Sequence, residues 1–294
     1  MTSINRERDV YFNDTHEAFR ESVRRFVDRE INPHMDEWEE TVVPLHDLLK
    51  KMGDLGFLGI RYDPRYGGQG LDYWFETVFL EELGHVHGLG VPTAVVVQTH
   101  LATPSLDMFG SEYLKEKYLM PAIAGDVVTA LAVTEPGAGS DVFAIQTKAV
   151  KKGDAYVLNG AKTYITNGTQ ADYLTLLAKT SDEPGYHSFG LFIVPTNLPG
   201  FVISKKLDKL GLRSSDTAEL FFDDVRVPAE NIIGAEGEGF IYQMKQFQHE
   251  RFATLPGTYV CVQDMLDMTV DYIRQRIVFG KPLLSKQVLR HRLV

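Results

Sequence analysis

Residues 131–141 read LAVTEPGAGSD, where a strand-like apolar run enters a tight turn that carries two glycines, a proline, hydroxyls and a carboxylate. Glycine lets a backbone approach a ligand closely. The amides of such a turn, with the hydroxyls of Thr134 and Ser140, can face the oxygens of a bound cofactor or a phosphate. A turn of this composition also forms between two strands without any ligand. The rest of the chain decides between a cofactor cradle and an ordinary turn.

The composition is that of a globular protein with a substantial core, since 44% of the 294 residues are hydrophobic and 24% are charged. This length predicts two or more domains. A formal net charge of -10, without a basic block, argues against nucleic-acid binding. The single cysteine, Cys261, excludes an internal disulfide or a cysteine metal site and is expected to be a buried thiol. Because the sequence shows no signal-peptide core or membrane-length apolar run, we expect no membrane association and a reducing, cytoplasmic compartment.

Helical periodicity dominates residues 1–125, which we predict to be an N-terminal helical domain. Asp14 and Glu17 resemble a capping box at the start of its first helix. Glycines and prolines predict a surface loop over residues 63–70. Later apolar stripes predict further helices over residues 45–55, 75–83, 92–108 and 113–123.

Three histidines of this part, His85, His87 and His100, raise the question of a metal site. No carboxylate or histidine stands at ligand spacing from them along the sequence. We therefore predict ordinary helix-end and packing roles, and no metal.

The period changes near residue 127, and residues 126–232 are predicted to form a central antiparallel β-barrel or sandwich domain. Gly153 marks one hairpin turn, and the Asn159–Gly160 pair predicts another. Strands do not alternate with helices, and the glycines lack both GxGxxG spacing and a GK[ST] ending, so a Rossmann domain and a P-loop are disfavoured. Further strands are predicted over residues 173–178, 189–195, 201–204 and 219–227.

Residues 233–294 return to a helical pattern, which predicts the start of a C-terminal helical bundle. Phe240, Met244, Phe247 and Arg251 share one face. Pro256 is expected to bend or locally break this helix, because proline has no amide to donate and its ring crowds the preceding turn. The last apolar face has few partners left in the chain, which predicts a C-terminally truncated version of a longer protein.

Four motifs in order give the chain a specific resemblance. They are VTEPGAGSD at 133–141, KTYITNG at 162–168, HER at 249–251 and RIVFGKPLLSKQ at 276–287. The chain resembles the acyl-CoA dehydrogenase family over its whole length. That resemblance implies bound FAD, an acyl-CoA substrate, an electron-transfer flavoprotein as electron acceptor, and a homodimer or homotetramer. Members of the family continue for several more helices, which complete a C-terminal four-helix bundle.

The resemblance also implies roles for individual residues. Tyr164 would lie beside the isoalloxazine, and Thr166 would hydrogen-bond flavin N5, where a donor stabilises the reduced flavin. Without the resemblance, these two are ordinary strand residues before an Asn-Gly turn. Ser140 would also begin the acyl-CoA site, together with Arg251. The residues matching those that line the flavin are Val133, Thr134, Gly139, Ser140, Tyr164 and Thr166.

Three further residues match contacts to the FAD of a neighbouring subunit. Arg276 would lie on the pyrophosphate, and Phe279 and Gln287 would also reach that FAD. An arginine near a helix C-terminus is otherwise only a favourable partner for the helix dipole. The assignment therefore depends on the complete motif.

Glu250 is the candidate catalytic base. In a subset resembling the isovaleryl-CoA and long-chain acyl-CoA dehydrogenases the base stands on the long helix directly before an arginine, as Glu250 stands before Arg251. In much of the family it lies in the C-terminal part. We expect Phe247 and Phe252 to desolvate this carboxylate and raise its pKa, with Arg251 directed elsewhere. The alternative is a solvated glutamate, or one paired with another helix.

The resemblance implies FAD-dependent α,β-dehydrogenation of an acyl-CoA thioester to a trans-2-enoyl-CoA. One alternative is an acyl-CoA oxidase-like flavoenzyme, which passes its electrons to oxygen. The other is a non-catalytic remnant of the fold that cannot close an active site. Oxygen consumption distinguishes the first alternative, and flavin absorbance of the purified chain distinguishes the second.

Overall fold

The computed structural model describes residues 10–293. Helices fill the chain up to Ile123, a sheet follows, and a long helix begins at Gly239. The predicted fold class, with two helical parts around a β domain, is confirmed. The helices of the first part are α1 (Asp14–Phe26), α2 (Met35–Thr41), α3 (Leu45–Asp54), α4 (Tyr73–Leu83), α5 (Gly90–Val96), α6 (Pro104–Phe109), α7 (Glu112–Leu114) and α8 (Met120–Ile123).

The first helix has its capping box one residue earlier than predicted. The side chain of Asn13 accepts hydrogen bonds from the amides of Thr15 and His16, and His16 Nδ1 accepts from the Asn13 amide at 3.1 Å. The predicted box of Asp14 and Glu17 is therefore wrong. Both acidic residues lie in the first turn instead, where they complement the helix dipole.

One continuous helix was predicted over residues 92–108, but the structure divides it. A π-helical segment, Val97–Ala102, follows α5, and α6 starts at Pro104. Proline suits the first turn of a helix, where no amide is needed, and cannot continue the preceding ladder. The π-helical segment packs against β1 and, as described below, against the candidate site.

The central sheet contains seven strands in the order β1-β4-β2-β3-β7-β6, with β5 paired to the other side of β4. Most pairs are antiparallel, as predicted, but β1 and β4 run parallel and β2 meets β4 in parallel at one register position. The strands are β1 (Thr129–Ala132), β2 (Lys148–Lys152), β3 (Ala155–Thr166), β4 (Tyr173–Lys179), β5 (Phe189–Pro195), β6 (Phe201–Lys206) and β7 (Thr217–Pro228).

The Asn159–Gly160 pair forms a bulge, not the predicted hairpin turn. Both residues lie inside β3, where the register against β7 shifts between Leu158 and Gly160. Gly160 has a φ of 151°, and a Cβ there would lie 2.4 Å from Thr147 Oγ1. The pair is therefore a point of close approach within a strand. The hairpin predicted at Gly153, between β2 and β3, is present.

The last part of the chain is dominated by α9 (Gly239–Gln275), which runs for 37 residues. The predicted local break at Pro256 is wrong, because the helix continues through it. Cys261 on this helix is half-buried, not buried as predicted. A short hairpin of β8 (Ile277–Val278) and β9 (Lys281–Pro282) and the helix α10 (Gln287–Leu293) follow. Within residues 10–293, none of the helices has the length and apolar character needed to cross a membrane.

Candidate functional site

Two cavities meet at Glu250. The larger, of about 290 Å³, is apolar and lies where α4 crosses α9. The helices approach closely at this crossing, since a Cβ on Gly84 would lie 2.6 Å from the carbonyl oxygen of Gly257. The walls of this cavity come mainly from α4, α5, the π-helical segment and α9, with contributions from the connecting segments at Gly84, Leu89 and Leu212. The lining residues are Leu80, Leu83, Gly84, Leu89, Pro92, Thr93, Val96, Val97, Leu101, Leu212, Glu250, Ala253, Thr254, Gly257 and Thr258.

The second cavity, of about 180 Å³, lies between the sheet and α9. It brings together four of the predicted cofactor residues and the predicted base, although these residues span more than 100 positions of sequence. Its lining residues are Val97, Leu101, Leu131, Val133, Thr134, Tyr164, Ile165, Thr166, Phe247 and Glu250. Because Val97, Leu101 and Glu250 line both cavities, the two form adjoining parts of one site.

The carboxylate of Glu250 is poised to exchange a proton near neutral pH. Its Oε2 is buried and has no hydrogen-bond partner among the described residues. Desolvation raises the pKa of Glu250 to about 7, against the opposing charge of Arg251. The predicted desolvation is thus present, but only Phe247 shares a cavity with Glu250. Phe252 is half exposed and packs against Tyr73, with ring centroids 5.6 Å apart.

The end of β3 presents Tyr164 and Thr166 to the second cavity. Tyr164 has a φ of 59° at an irregularity between Lys162 and Ile165, and its side chain is 69% exposed. A left-handed tyrosine is uncommon and costs free energy. Asn167, three residues after Tyr164, also has a left-handed backbone, with a φ of 65°, and its buried Nδ2 donates to Ala94 O at 2.9 Å. This bond ties the strand end to α5.

A buried ion pair holds the glycine turn against β3. Lys162 Nζ donates to Glu135 Oε1 and to Val133 O, each at 2.8 Å. Glu135 also accepts from the amides of Gln146 and Thr147. Desolvation lowers the pKa of Lys162 to about 8, against the opposing charge of Glu135. Sequence reasoning missed this pair, although both residues lie within the quoted motifs and a lysine at the centre of an apolar strand was a usable signal.

The turn itself is open to an approaching ligand. A Cβ on Gly137 or Gly139 would meet no atom within 4 Å, so the protein's own packing does not require glycine at either position. Gly139 and Ser140 are exposed and lie outside the lining of both cavities. Arg251 donates to Phe247 O at 3.3 Å and lies over the Phe247 ring. The structure therefore places Gly139, Ser140 and Arg251 at the periphery of the site.

The remaining predicted cofactor residues lie elsewhere in the chain's fold. Phe279 stands at the tip of the β8–β9 hairpin with 92% of its surface exposed. Arg276 and Gln287 flank this hairpin and are also exposed. None of the three lines the cavities at Glu250. Within one chain the structure does not bring them to the predicted flavin position.

A cluster of two histidines and a glutamate stands beside the site. His100 Nε2 and His249 Nε2 lie 3.1 Å and 3.5 Å from Glu76 Oε1. The expectation that His100 has no histidine or carboxylate partner is thus wrong in three dimensions, since the partners come from α4 and α9. His85 has a carboxylate neighbour as well, with Nδ1 2.6 Å from Asp264 Oδ2. No spacing rule applied along the sequence could have found either contact.

Comparison with known protein families accounts for almost the whole chain. Residues 13–126 match the model of the acyl-CoA dehydrogenase N-terminal domain, residues 130–225 that of the middle domain and residues 237–294 that of the C-terminal domain. Similar solved structures share both the fold and a substantial sequence identity with this chain. A crystal structure of acyl-CoA dehydrogenase from Geobacillus kaustophilus is 39% identical with a TM-score of 0.92, covering 96% of this chain and 74% of that one. The chain belongs to the acyl-CoA dehydrogenase family.

Several family members are similar over nearly all of the chain. The long-chain specific acyl-CoA dehydrogenase, mitochondrial, of Sus scrofa is 37% identical over 96% of this chain and 66% of its own length. The isovaleryl-CoA dehydrogenase, mitochondrial, of Oryza sativa subsp. japonica is 38% identical over 97% of this chain and 70% of its own length. The chain thus spans 66% to 70% of the length of these two acyl-CoA dehydrogenases.

One further acyl-CoA dehydrogenase structure bears on the cofactor. The enzyme from Bacillus anthracis, whose crystal structure is described as complexed with FAD, is 30% identical with a TM-score of 0.90. The match covers 96% of this chain and 48% of that one.

Proposed function

We propose that this acyl-CoA dehydrogenase family member removes one hydrogen from each of the α and β carbons of an acyl-CoA thioester, giving a trans-2-enoyl-CoA. The observation that carries the proposal is Glu250, whose Oε2 is buried and has no partner among the described residues, at the junction of an apolar cavity and a cavity lined by hydroxyls. Burial raises its pKa to about 7, which suits a general base at physiological pH.

In this proposal the apolar cavity of about 290 Å³ holds the acyl chain. The Glu250 carboxylate takes the α proton, and the hydride on the β carbon leaves on the opposite side, toward the second cavity. FAD, when bound, accepts that hydride. Apolar walls exclude water from the carboxylate, so its proton is exchanged with the substrate. The shared walls at Val97 and Leu101 would hold the reacting carbons between the two cavities.

The residues of the second cavity fit a flavin. Thr134 and Thr166 offer hydroxyls, and Tyr164 offers an exposed aromatic ring. In the turn after Thr134, outside the cavity lining, the open backbone at Gly137 and Gly139 leaves room that a side chain would fill. These are the groups that cofactor recognition by hydrogen bonding and stacking requires. We propose that Val133, Thr134, Tyr164 and Thr166 contact FAD.

We further propose that Gly139 and Ser140 contact the outer part of FAD, that Ser140 and Arg251 receive the acyl-CoA, and that Arg276, Phe279 and Gln287 reach the FAD of a second subunit. Support for the last point is their exposure and their position away from the chain's own cavities. The proposed assembly is a homodimer or homotetramer. An electron-transfer flavoprotein is the proposed acceptor, and the cytoplasm the proposed compartment.

The decisive experiment uses Glu250→Gln in the intact protein. We expect the variant to keep FAD but to lose the bleaching of flavin absorbance that acyl-CoA causes, because the amide cannot take the α proton. Glu116→Gln, an exposed glutamate far along the chain, is the matched control and should bleach like the parent protein. Bleaching that persists in Glu250→Gln would place the base at another residue.

Two further readouts address the alternatives. Oxygen consumption on addition of acyl-CoA would favour the oxidase-like activity over transfer to a flavoprotein. A purified parent protein without flavin absorbance, even after incubation with FAD, would favour the non-catalytic remnant.

A further inference from the structure

The cluster of Glu76, His100 and His249 lies one step away from the proposed acyl cavity. Glu76 on α4 is one helical turn before Leu80, and His249 on α9 is one turn before Ala253. Both Leu80 and Ala253 line the cavity. The cluster therefore joins the helices that form the cavity wall, on a side that the proposed reaction does not use.

The hydrogen bonds around His100 fix its tautomer. Thr99 Oγ1 donates its single proton to Val95 O at 3.0 Å. It must then accept at its contact with His100 Nδ1, 2.6 Å away, so Nδ1 carries a proton. In a neutral ring Nε2 is left with a lone pair. His100 is buried, and Nε2 has no partner with hydrogen-bond geometry among the described residues.

That lone pair points at a negative charge. Nε2 of His100 lies 3.1 Å from Glu76 Oε1. Arg61 Nη1 donates to Glu76 Oε2 at 2.9 Å, and this charge-assisted hydrogen bond favours the ionised carboxylate. A neutral imidazole and a carboxylate cannot face each other this way without repulsion. A positive centre is needed between them, either a proton or a metal cation.

The spacing of the three donors suits a metal cation. Zinc bonds of about 2.0–2.1 Å in a tetrahedral site place neighbouring ligand atoms about 3.3 Å apart. The distances from Glu76 Oε1 to His100 Nε2 and to His249 Nε2, 3.1 Å and 3.5 Å, bracket that value. All three ligand atoms lie within 4.8 Å of one another, so small side-chain rotations would close the site. His249 is 22% exposed and provides a route for entry.

The surroundings resemble the outer contacts of metal sites. Thr99 orients His100, as a hydrogen-bond acceptor on the distal ring nitrogen commonly does for a metal-bound histidine. Arg61 Nη1 donates to Glu76 Oε2 at 2.9 Å and leaves Oε1 for the ion. Arg61 Nη1 also lies 3.5 Å from His249 Nδ1. Because a guanidinium only donates, and a metal on Nε2 leaves the ring proton on Nδ1, metal binding requires these two groups to move apart.

We propose that Glu76, His100 and His249 bind one divalent transition-metal ion of the zinc class, which cross-links α4, the π-helical segment and α9. Two imidazoles and one carboxylate form a ligand set that zinc accepts, with water as the fourth ligand. The ion would fix the part of α9 that directly precedes Glu250. The proposal does not depend on FAD or on acyl-CoA turnover.

The test is equilibrium dialysis of the untagged full chain against Co²⁺, whose visible absorption reports a four-coordinate site. We expect one Co²⁺ per chain in the parent protein and in His87→Gln, an exposed histidine that serves as matched control. His249→Gln and Glu76→Gln should lose both the ion and the absorption bands. Zn²⁺ should raise the Tm of the parent protein and of His87→Gln, but not that of His249→Gln.

Two results would overturn the site. Failure of the parent protein to take up Co²⁺ would show that the three side chains do not form a metal site. Uptake that is undiminished in His249→Gln would place the ion elsewhere. Should Glu76→Gln fail to fold, the half-buried His249 still decides the question. Because no flavin is needed, the outcome is independent of the bleaching experiment on Glu250.

Discussion

Glu250 shows at the scale of one residue how burial sets chemistry. A glutamate on a helix surface ordinarily ionises near 4.5, and this one has its pKa raised to about 7 because apolar walls remove water from its carboxylate. No cation among the described residues pairs with its buried Oε2. The charged form is therefore costly, and this cost makes the carboxylate a stronger base.

The raised pKa predicts a pH-dependent stability difference between Glu250→Gln and the parent protein. The folded state holds the Glu250 proton more tightly than the unfolded state, so the parent protein loses stability as pH rises from about 4.5 to about 7. That interval corresponds to at most about 3 kcal/mol. Glutamine stays neutral, so the variant should be the more stable protein at about pH 8 and equal to the parent near pH 4.5.

Urea unfolding of the flavin-free proteins at several pH values measures this difference. Glu116→Gln, at an exposed position, should track the parent protein throughout. A Glu250→Gln curve that runs parallel to the parent curve at all pH values would show that this carboxylate is solvated.

At the scale of elements, β3 positions the glycine turn and the cavity together. Lys162 holds Glu135 of the turn, the bulge at Gly160 lets the strand pass close to Thr147, and the irregularity before Ile165 presents Tyr164. The bulge and the irregularity each interrupt the regular pairing of β3 with β7. Three consecutive residues, Tyr164, Ile165 and Thr166, line the second cavity, whereas perfect alternation would turn Ile165 to the opposite face.

The bulge predicts that Gly160→Ala is strongly destabilising. An alanine Cβ would collide with Thr147 Oγ1 at 2.4 Å and would adopt a φ of 151° that L-residues rarely accept. We expect a loss of roughly 2–4 kcal/mol in the free energy of unfolding. Gly211→Ala, where a Cβ meets nothing within 4 Å, should change stability by less than about 1 kcal/mol. Equal losses for the two variants in urea unfolding would contradict the close approach.

At the scale of the whole molecule, α9 carries two opposite surfaces. Its inner face packs against α4 and the sheet and supplies Phe247 and Glu250 to the site. Its later turns expose a row of large apolar side chains, and such a surface favours association with another protein segment or chain. The exposed residues are Phe252, Leu255, Tyr259, Val262, Met265, Met268 and Tyr272. The exposed hairpin with Phe279 continues from the same end of the helix.

If Arg276 contacts the FAD of a second subunit, two variants that each bind FAD weakly should together restore FAD binding in a mixed dimer. Alone, Arg276→Ala and Thr166→Ala should each bind FAD weakly. A mixed dimer would contain one site with both defects and one site with neither, so coexpression should restore tight FAD binding at one of its two sites. Arg274→Ala, at an exposed position on the same helix end, is the control and should bind FAD normally.

Flavin content of the separated mixed dimers is the measurement. Mixed dimers whose sites all stay weak would mean that Arg276 acts within its own chain.

Much of the fold could be predicted because its signals are local. Helical stripes gave α3 and α4 to within a few residues, and β5 was predicted with its observed ends. The errors share one cause, which is that a local signal has more than one use. An Asn-Gly pair suits a bulge as well as a hairpin, and Pro256 was accommodated because the rest of a 37-residue helix is held by packing.

The sequence by itself determined the order of helical and β parts, the family and the identity of the candidate base, because these depend on residue type and spacing along the chain. Only the tertiary structure decided which residues share a site. It joined Thr134, Thr166 and Glu250 at one cavity and left Arg276 outside it. It also assembled Glu76, His100 and His249, and gave Glu250 its raised pKa. Burial and contact between distant segments are properties of the packed chain, and no local pattern encodes them.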